Sequence, residues 1–482
     1  MTIARTMTDD LGQRAIRGVA TTALAFVSNR VFQLASTVLV ARWLDPAILG
    51  GAYAAIAVVS FGQVVVDAGI GAAVVAGHDL GSLRATALVN MSTAVVLGSG
   101  VALAAPALSR AFGPTGGVGL YRLGALYLIV RGAGKVHVAV LERGLEFGRR
   151  ASIDIASGIA RLVATVVLVV QGVGASSLIW GMVAGEAATV VLLLVLVRLH
   201  GGSGRARSFR GLAGFSAAVV LARLSGELAT NADYLIVGSR LGSKALGYYS
   251  IAYRVPELLL SQVYWIASSV LYPLLARAHR DGRPADGVLL EALGFLALWG
   301  VIVGFGLALI APDAISEIFG SKWSASATPM TLVAIALGLH GLVFAIGDAL
   351  KASGRVWFFA AAETSIAVVS VVTLLAVASH GVVWVAATHV VIAATWASMS
   401  LVAAVGLIGL RWSAILDAMR PALLVVGSLA LTALPLRILL APGRSRLALV
   451  VLAALASIAF VFAVVERERS RHILSYVTAK TR

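Results

Sequence analysis

From the end of a short polar arm almost to the C-terminus, the chain repeats one pattern. About twenty apolar residues are followed by a brief turn of glycine, proline or basic side chains. A helix of that length rises about 30 Å, the thickness of a bilayer's hydrocarbon. Fourteen such stretches are centred near Ser28, Val64, Val96, Val130, Val163, Val190, Ala222, Pro256, Trp299, Leu337, Ile366, Thr388, Ser428 and Ala456. The short alternating strands of a membrane barrel are absent from the sequence. Only 12% of residues are charged and 60% are hydrophobic, whereas soluble domains carry about a quarter charged residues. The expected fold class is therefore an all-α polytopic membrane protein with about fourteen transmembrane helices. The chain contains no cysteine, which excludes disulfides, thiol nucleophiles and iron–sulfur clusters.

The net charge of +16 would point to nucleic acid in a soluble protein. Here its distribution points to membrane topology instead, and no nucleic-acid partner is expected. With the N-terminus inside, the cytoplasmic segments carry 23 basic residues and the outer loops 8. Lysine and arginine concentrate on the cytoplasmic side, so both termini are expected there. The outer segment "APGRSR", with Arg444 and Arg446, runs against this bias, and so does the thin cytoplasmic loop around Arg84. The N-terminal "MTIARTMTDDLGQRAIRG" reads as a cytoplasmic arm, not a cleaved signal, because the apolar run behind it is long and contains Arg30. The longest outer loop, "APDAISEIFGSKWSASA", is too short for a folded domain.

A basic loop, "RLHGGSGRARSFRG", divides the chain after six spans. The opening of each half carries an echo of the other. "RWLDPAILGGAYAAIAVV" from Arg42 aligns with "SRLGSKALGYYSIAYRV" from Ser239, pairing Leu44, Leu49 and Gly50 with Leu241, Leu246 and Gly247. Internal repeats of this kind are common in secondary transporters.

Seven basic residues fall inside spans: Arg30, Arg122, Arg131, Lys135, Arg161, Arg223 and Arg254. Arg122 and Arg161 lie close enough to span ends to snorkel. Each of the others costs roughly 2.5–3.5 kcal/mol at a helix centre, so it should face water or protein. Helical spacing groups them into polar stripes. Arg30, Gln33 and Thr37 form one. Tyr127, Arg131, Lys135 and Glu142 form a second. Arg223, Glu227, Asn231 and Tyr234 form a third, with Asp233 about 80° away at roughly 100° per residue. Arg254, Glu257, Ser261 and Trp265 form a fourth, interrupted by Pro256.

Four such stripes suggest a wet cavity. Its cations suit an anionic headgroup, because arginine's planar fork matches phosphate oxygens. Arg30, Arg131, Lys135, Arg223, Arg254, Asn231 and Tyr234 are the candidate substrate-binding residues. Glu227 and Glu257 can neutralise Arg223 and Arg254 within their own helices. Asp67, Asp233, Glu186, Asp348 and Glu363 are candidates for charge pairing, or for coupling to H⁺ or Na⁺. Lys135 one turn from Arg131 is a like-charge pair that requires an anion nearby.

No metal or organic cofactor is expected. The eight histidines, at positions 78, 137, 200, 279, 340, 380, 389 and 472, show no ligand spacing. "GSGRARSFRG" lacks the lysine–hydroxyl ending of a phosphate-binding loop. A membrane polymerase or glycosyltransferase would need an acid/base or donor site near a span end. The only aspartate pair near one is Asp9–Asp10 in the arm, so a non-enzyme is expected over that reading or a scaffold.

One stretch is more specific. "NADYLIVGSRLGSKALGYYSIAYRVPELLLSQVYWIASSVLYPLLARAHRD" carries Asp233, then Leu241-Gly242, then Leu246-Gly247-Tyr248-Tyr249, then Pro256 and Pro273. It resembles the polysaccharide-export, O-antigen type flippases of the multidrug/oligosaccharidyl-lipid/polysaccharide superfamily. "FGSKWSAS", "LKASGRVWF", "ARWLDPAILG" and "DAGIGAAVV" extend that resemblance over nearly the whole chain. The resemblance implies two pseudo-symmetric six-helix lobes in a V around a central cavity, plus two C-terminal helices. The expected boundaries are 1–200 for the first lobe, 201–210 for the linker, 211–410 for the second lobe and 411–482 for the last two spans and tail. It also implies a bacterial inner-membrane protein of surface polysaccharide biosynthesis. Such a protein moves undecaprenyl-diphosphate-linked oligosaccharide from the cytoplasmic to the outer leaflet by alternating access. Membrane lipids and other polysaccharide assembly proteins are the expected partners, and a monomer the expected state. A peptidoglycan-precursor flippase handles the same lipid diphosphate and stays open. A drug/cation antiporter should present carboxylates where this chain presents arginines.

Overall fold

The computed structural model describes residues 27–68, 83–112, 117–144, 146–197 and 209–465. The described chain is helical, and twelve of its helical runs are long and apolar enough to cross a membrane. Helix α1 occupies residues 27–43. It is followed by α2 (Pro46–Ala68), α3 (Leu83–Phe112), α4 (Gly117–Arg143), α5 (Phe147–Val170) and α6 (Ser176–Leu196). One continuous run, Phe209–Arg280, has 72 residues and breaks at Gly242, where φ is 82° and ψ is 175°. Unbroken, it would reach about 108 Å, far beyond any bilayer. The break makes it α7 (209–241) and α8 (243–280). Helix α9 runs Asp286–Phe319 with two π-helical segments. Then come α10 (Ala327–Ala352), α11 (Val356–Val377), α12 (Val382–Ala403), α13 (Trp412–Leu439) and α14 (Arg444–Phe460). Each of the fourteen stretches expected from the sequence thus contains one helix.

Two compact units divide the chain, Met1–Gly247 and Tyr248–Arg482. In the first, α4 packs on α2, α3 and α6, and α6 packs on α5. Asn90 of α3 donates its side-chain amide to the Gly132 carbonyl of α4 at 3.0 Å, both groups being buried. In the second, the core gathers Tyr264, Leu289, Leu293, Val333, Ile346 and Ala386 from α8, α9, α10 and α12. Tyr264 donates its hydroxyl to the Leu337 and Gly338 carbonyls at 3.0 and 3.2 Å. A Cβ on Gly304 would meet Ala334 O at 2.8 Å, so α9 and α10 cross with their backbones almost touching.

The sequence echo has a structural counterpart inside the first unit. Leu44-Asp45 separates α1 from α2, and Gly242 separates α7 from α8. Any Cβ on Gly50 would collide with the Ser243 carbonyl oxygen, and any Cβ on Gly247 with the Pro46 carbonyl oxygen. In the aligned register Pro46 corresponds to Ser243 and Gly50 to Gly247, so the contact is reciprocal. Each half supplies a glycine against the other's helix start.

The segment "APDAISEIFGSKWSASA", expected as a loop, is mostly helix. Helix α9 continues through Pro312 to Phe319, and the turn is confined to Gly320 (φ 104°) and the 3₁₀ segment Ser321–Ser326. Its polar residues misled the reading because one of them is buried in an ion pair. Asp313, 1% exposed, accepts Arg446 Nε at 2.7 Å and Nη2 at 2.8 Å. Arg446 Nη1 also reaches the carbonyls of Arg437 and Leu440, at 3.1 and 3.2 Å. Arg444 pairs with Glu317 at 2.8 Å. The two arginines that break the positive-inside pattern therefore tie α14 to the end of α9.

Two outcomes follow for stability. Gly50→Val and Gly247→Val should each lose most monodisperse protein on size exclusion, since the obstructing atoms are backbone and overpacking costs about 1–3 kcal/mol or more. Gly100→Val, which faces open space, should not. Arg446→Ala strands a buried carboxylate and should cost about 3–5 kcal/mol, read as a lowered thermal midpoint in detergent. The double variant Arg446→Met/Asp313→Leu should recover much of the loss.

Candidate functional site

Helices α2, α4 and α6 converge on one guanidinium. Arg131 of α4 holds Asp67 of α2 with two bonds, Nε to Oδ1 at 3.0 Å and Nη2 to Oδ2 at 2.7 Å. Its Nη1 donates to Glu186 of α6 at 2.7 Å and to the Tyr127 hydroxyl at 2.9 Å. Lys135, one turn on, places Nζ 3.0 Å from Asp67 Oδ1. Four of the five guanidinium N–H groups are therefore engaged. Side-chain exposures are 18% for Arg131, 17% for Lys135, 23% for Asp67 and 12% for Glu186. Two cations face two carboxylates, so the cluster is formally neutral. The anion that the like-charge pair Arg131 and Lys135 requires is supplied by the protein itself. Breaking such a pair is costly because the surviving charge remains buried.

The remaining predicted residues of the first unit lie on α1 and α7. Arg30 is half-buried, and its Nη1 donates to Gln33 Oε1 at 2.7 Å. Thr37 donates to the Gln33 carbonyl at 2.8 Å, completing the expected stripe. Asn29 donates to the Asp154 carbonyl of α5 at 3.1 Å, which docks α1. On α7 the expected pairing of Arg223 with Glu227 is not made. Glu227 instead accepts the Asn231 amide at 2.9 Å. A carboxylate one turn C-terminal to its cation is the less favourable arrangement on a helix, and Asn231 competes for it from the better side. Arg223 is exposed and makes no ion pair among the described residues. Tyr234 is 7% exposed, its ring 6.4 Å from that of Tyr53. Asp233 is 3% exposed and accepts the backbone N–H of Tyr234 at 2.8 Å.

In the second unit Arg254 and Glu257 pair at 2.9 Å, as their spacing predicts. Asp348 is buried, with Lys351 Nζ 2.6 Å from its Oδ1. That ammonium also sits 5.7 Å from the ring of Tyr272 and 5.1 Å from that of Phe359. Glu363 is exposed on α11.

One grouping escaped the sequence reading. His389 of α12 meets Tyr249 of α8, Nε2 to hydroxyl, at 2.9 Å, and His340 of α10 stacks edge-on against Trp396 of α12. These residues are far apart in sequence, on three helices. Only knowledge of which helices are neighbours would have joined them.

The network makes a direct prediction. Arg131→Ala should cost about 3–5 kcal/mol of stability, and Asp67→Asn nearly as much. Arg223→Ala should leave stability within about 0.5 kcal/mol of the parent, as exposed positions do, read as an essentially unchanged thermal midpoint.

With this geometry in view, comparison with known proteins is informative. The sequence profile of a family described as polysaccharide biosynthesis protein matches residues 39–328. The teichuronic acid biosynthesis protein TuaB of Bacillus subtilis is 24% identical, over 61% of this chain and 62% of its own length. The succinoglycan biosynthesis transport protein ExoT of Rhizobium meliloti is also 24% identical, over 70% of this chain and 67% of its own. The matches thus span roughly three-fifths to two-thirds of these curated relatives. Among solved structures, the lipid II flippase MurJ in an inward closed conformation superposes with a TM-score of 0.70. That match covers 92% of this chain and 98% of MurJ at 13% identity. At that identity the likeness establishes the fold. The chain is a multi-pass membrane protein with a MurJ-like fold, and it belongs to the polysaccharide biosynthesis protein family.

Proposed function

We propose that this protein moves a diphosphate-linked lipid oligosaccharide from the cytoplasmic to the outer leaflet of the bacterial inner membrane, as a transporter and not an enzyme. The observation that carries the reading is Arg223. It is an exposed cation on α7, in the seventh stretch that the sequence reads as a span, with no ion pair among the described residues. Arg131 and Lys135, by contrast, have their charges answered by Asp67 and Glu186. A lipid diphosphate is an anion that must cross hydrocarbon, and a guanidinium offers it a matching fork. Arg30 is the second candidate contact, and the Glu227–Asn231 pair beside Arg223 would meet sugar hydroxyls. Family membership and the transport relative favour a polysaccharide intermediate over a peptidoglycan precursor. The excess of basic residues in alternate turns supports both termini on the cytoplasmic side. Alternating access fits the fold.

The test is transbilayer movement of a radiolabelled lipid-diphosphate oligosaccharide in proteoliposomes, with sugar transfer assayed in parallel. Wild type should move the lipid without altering the glycan. Arg223→Ala should slow movement by about 10- to 100-fold, the loss of one charged hydrogen-bonding partner, and Arg223→Lys should recover part of it. Sugar transfer, or no movement with any of several glycans, would overturn the proposal.

A further inference from the structure

Two histidines of the second unit stand on the neighbouring helices α10 and α12. His389 lies about 10 Å along α12 from its start, and His340 about 20 Å along α10, at 1.5 Å per residue. Both are half-buried, and the two helices that carry them pack against each other. Aromatic side chains surround them. The Tyr249 ring stacks on His389 with centroids 6.4 Å apart and planes at 26°. Tyr253 approaches His389 edge-on at 5.8 Å, and Trp396 approaches His340 edge-on at 6.4 Å. Tyr249 is itself fully buried.

We propose that His389, hydrogen-bonded to Tyr249 and flanked by Tyr253, is a proton-binding site that drives transport. The neutral ring can accept the tyrosine hydroxyl at Nε2. Adding a proton forms a new N–H there, so Nε2 becomes the donor and the Tyr249 oxygen the acceptor. The hydroxyl hydrogen must then turn to another partner. Protonation therefore reverses the polarity of a bond joining α8 to α12.

The charged groups around the pair do not replace it. On α8, Arg254 follows Tyr253 and is paired with Glu257. On α10, Asp348 and Lys351 pair with each other, roughly 12 to 17 Å beyond His340 along the helix. Helix α11 contributes Glu363, which is exposed, and the turn after it contributes His380, packed on Trp384. No other residue of α12 titrates. An unperturbed imidazole is the side chain that changes charge between roughly pH 5 and pH 8.

The inference rests on the transport reading for its consequence but not for its chemistry, and the test separates the two. Ring-¹⁵N histidine NMR of the full chain in lipid nanodiscs would be recorded over roughly pH 5 to pH 9 for wild type, His389→Gln, His340→Gln and Tyr249→Phe. A resonance missing in His389→Gln should pass from neutral to imidazolium, and its midpoint should change in the other two variants. In proteoliposomes holding one pH unit across the membrane, wild type should shift the leaflet ratio of the lipid-linked oligosaccharide by about tenfold, the equivalent of one proton. His389→Gln should still move the lipid but settle near an equal ratio. An unchanging His389 resonance, or an equal response in wild type and His389→Gln, overturns the proposal. If His389 titrates as described while no variant moves any lipid-linked sugar, the proton site stands and the transport reading fails.

Discussion

A charge in hydrocarbon must be answered, and this chain answers most of its own. At roughly 2.5–3.5 kcal/mol for each unpaired cation at a helix centre, a membrane protein retains such residues only where protein, water or ligand meets them. Arg131 is met by Asp67, Glu186 and Tyr127, and Lys135 by Asp67. Three helices are thereby held at one point by groups none of them could bury alone. The Arg446–Asp313 pair does the same for α9 and α14. Among the described residues Arg223 has no such ion pair.

The remainder of the scaffold rests on shape. Where backbones nearly touch, as Gly50 does with Ser243 and Gly304 with Ala334, lipid offers no hydrophobic force to drive helices together, and close van der Waals contact takes its place. The reciprocal placing of Gly50 and Gly247 shows the two sequence halves using the same device at the same register. That is stronger evidence of internal repetition than the few identities between them.

Helix number and position were legible because bilayer thickness imposes a length that hydropathy displays directly. Each expected centre, from Ser28 to Ala456, falls within a helix. The family resemblance was legible in Leu246-Gly247-Tyr248-Tyr249 and its neighbours. Pairing within one helix was partly legible. Arg254 and Glu257 meet, while Arg223 and Glu227 do not, because the local competitor Asn231 takes the carboxylate. Pairing between helices was not legible: Asp67 and Arg131 are 64 positions apart. A polar stretch such as "APDAISEIFG" resembles a loop when its aspartate partner, Arg446, is more than a hundred residues away. The histidine grouping was hidden for the same reason, since spacing along the chain carries no information about α10 lying beside α12.

Arg223 is proposed as an anion receptor, set apart from cations held in structural pairs such as Arg131–Asp67 and Arg446–Asp313. This role is tested most directly by the thermal shift that a short-chain polyprenyl diphosphate produces in the purified protein. The ligand should stabilise wild type, and Arg223→Ala should abolish most of this shift while keeping the parent's unliganded midpoint. An undiminished shift in Arg223→Ala, or a collapse of its unliganded midpoint, would contradict it.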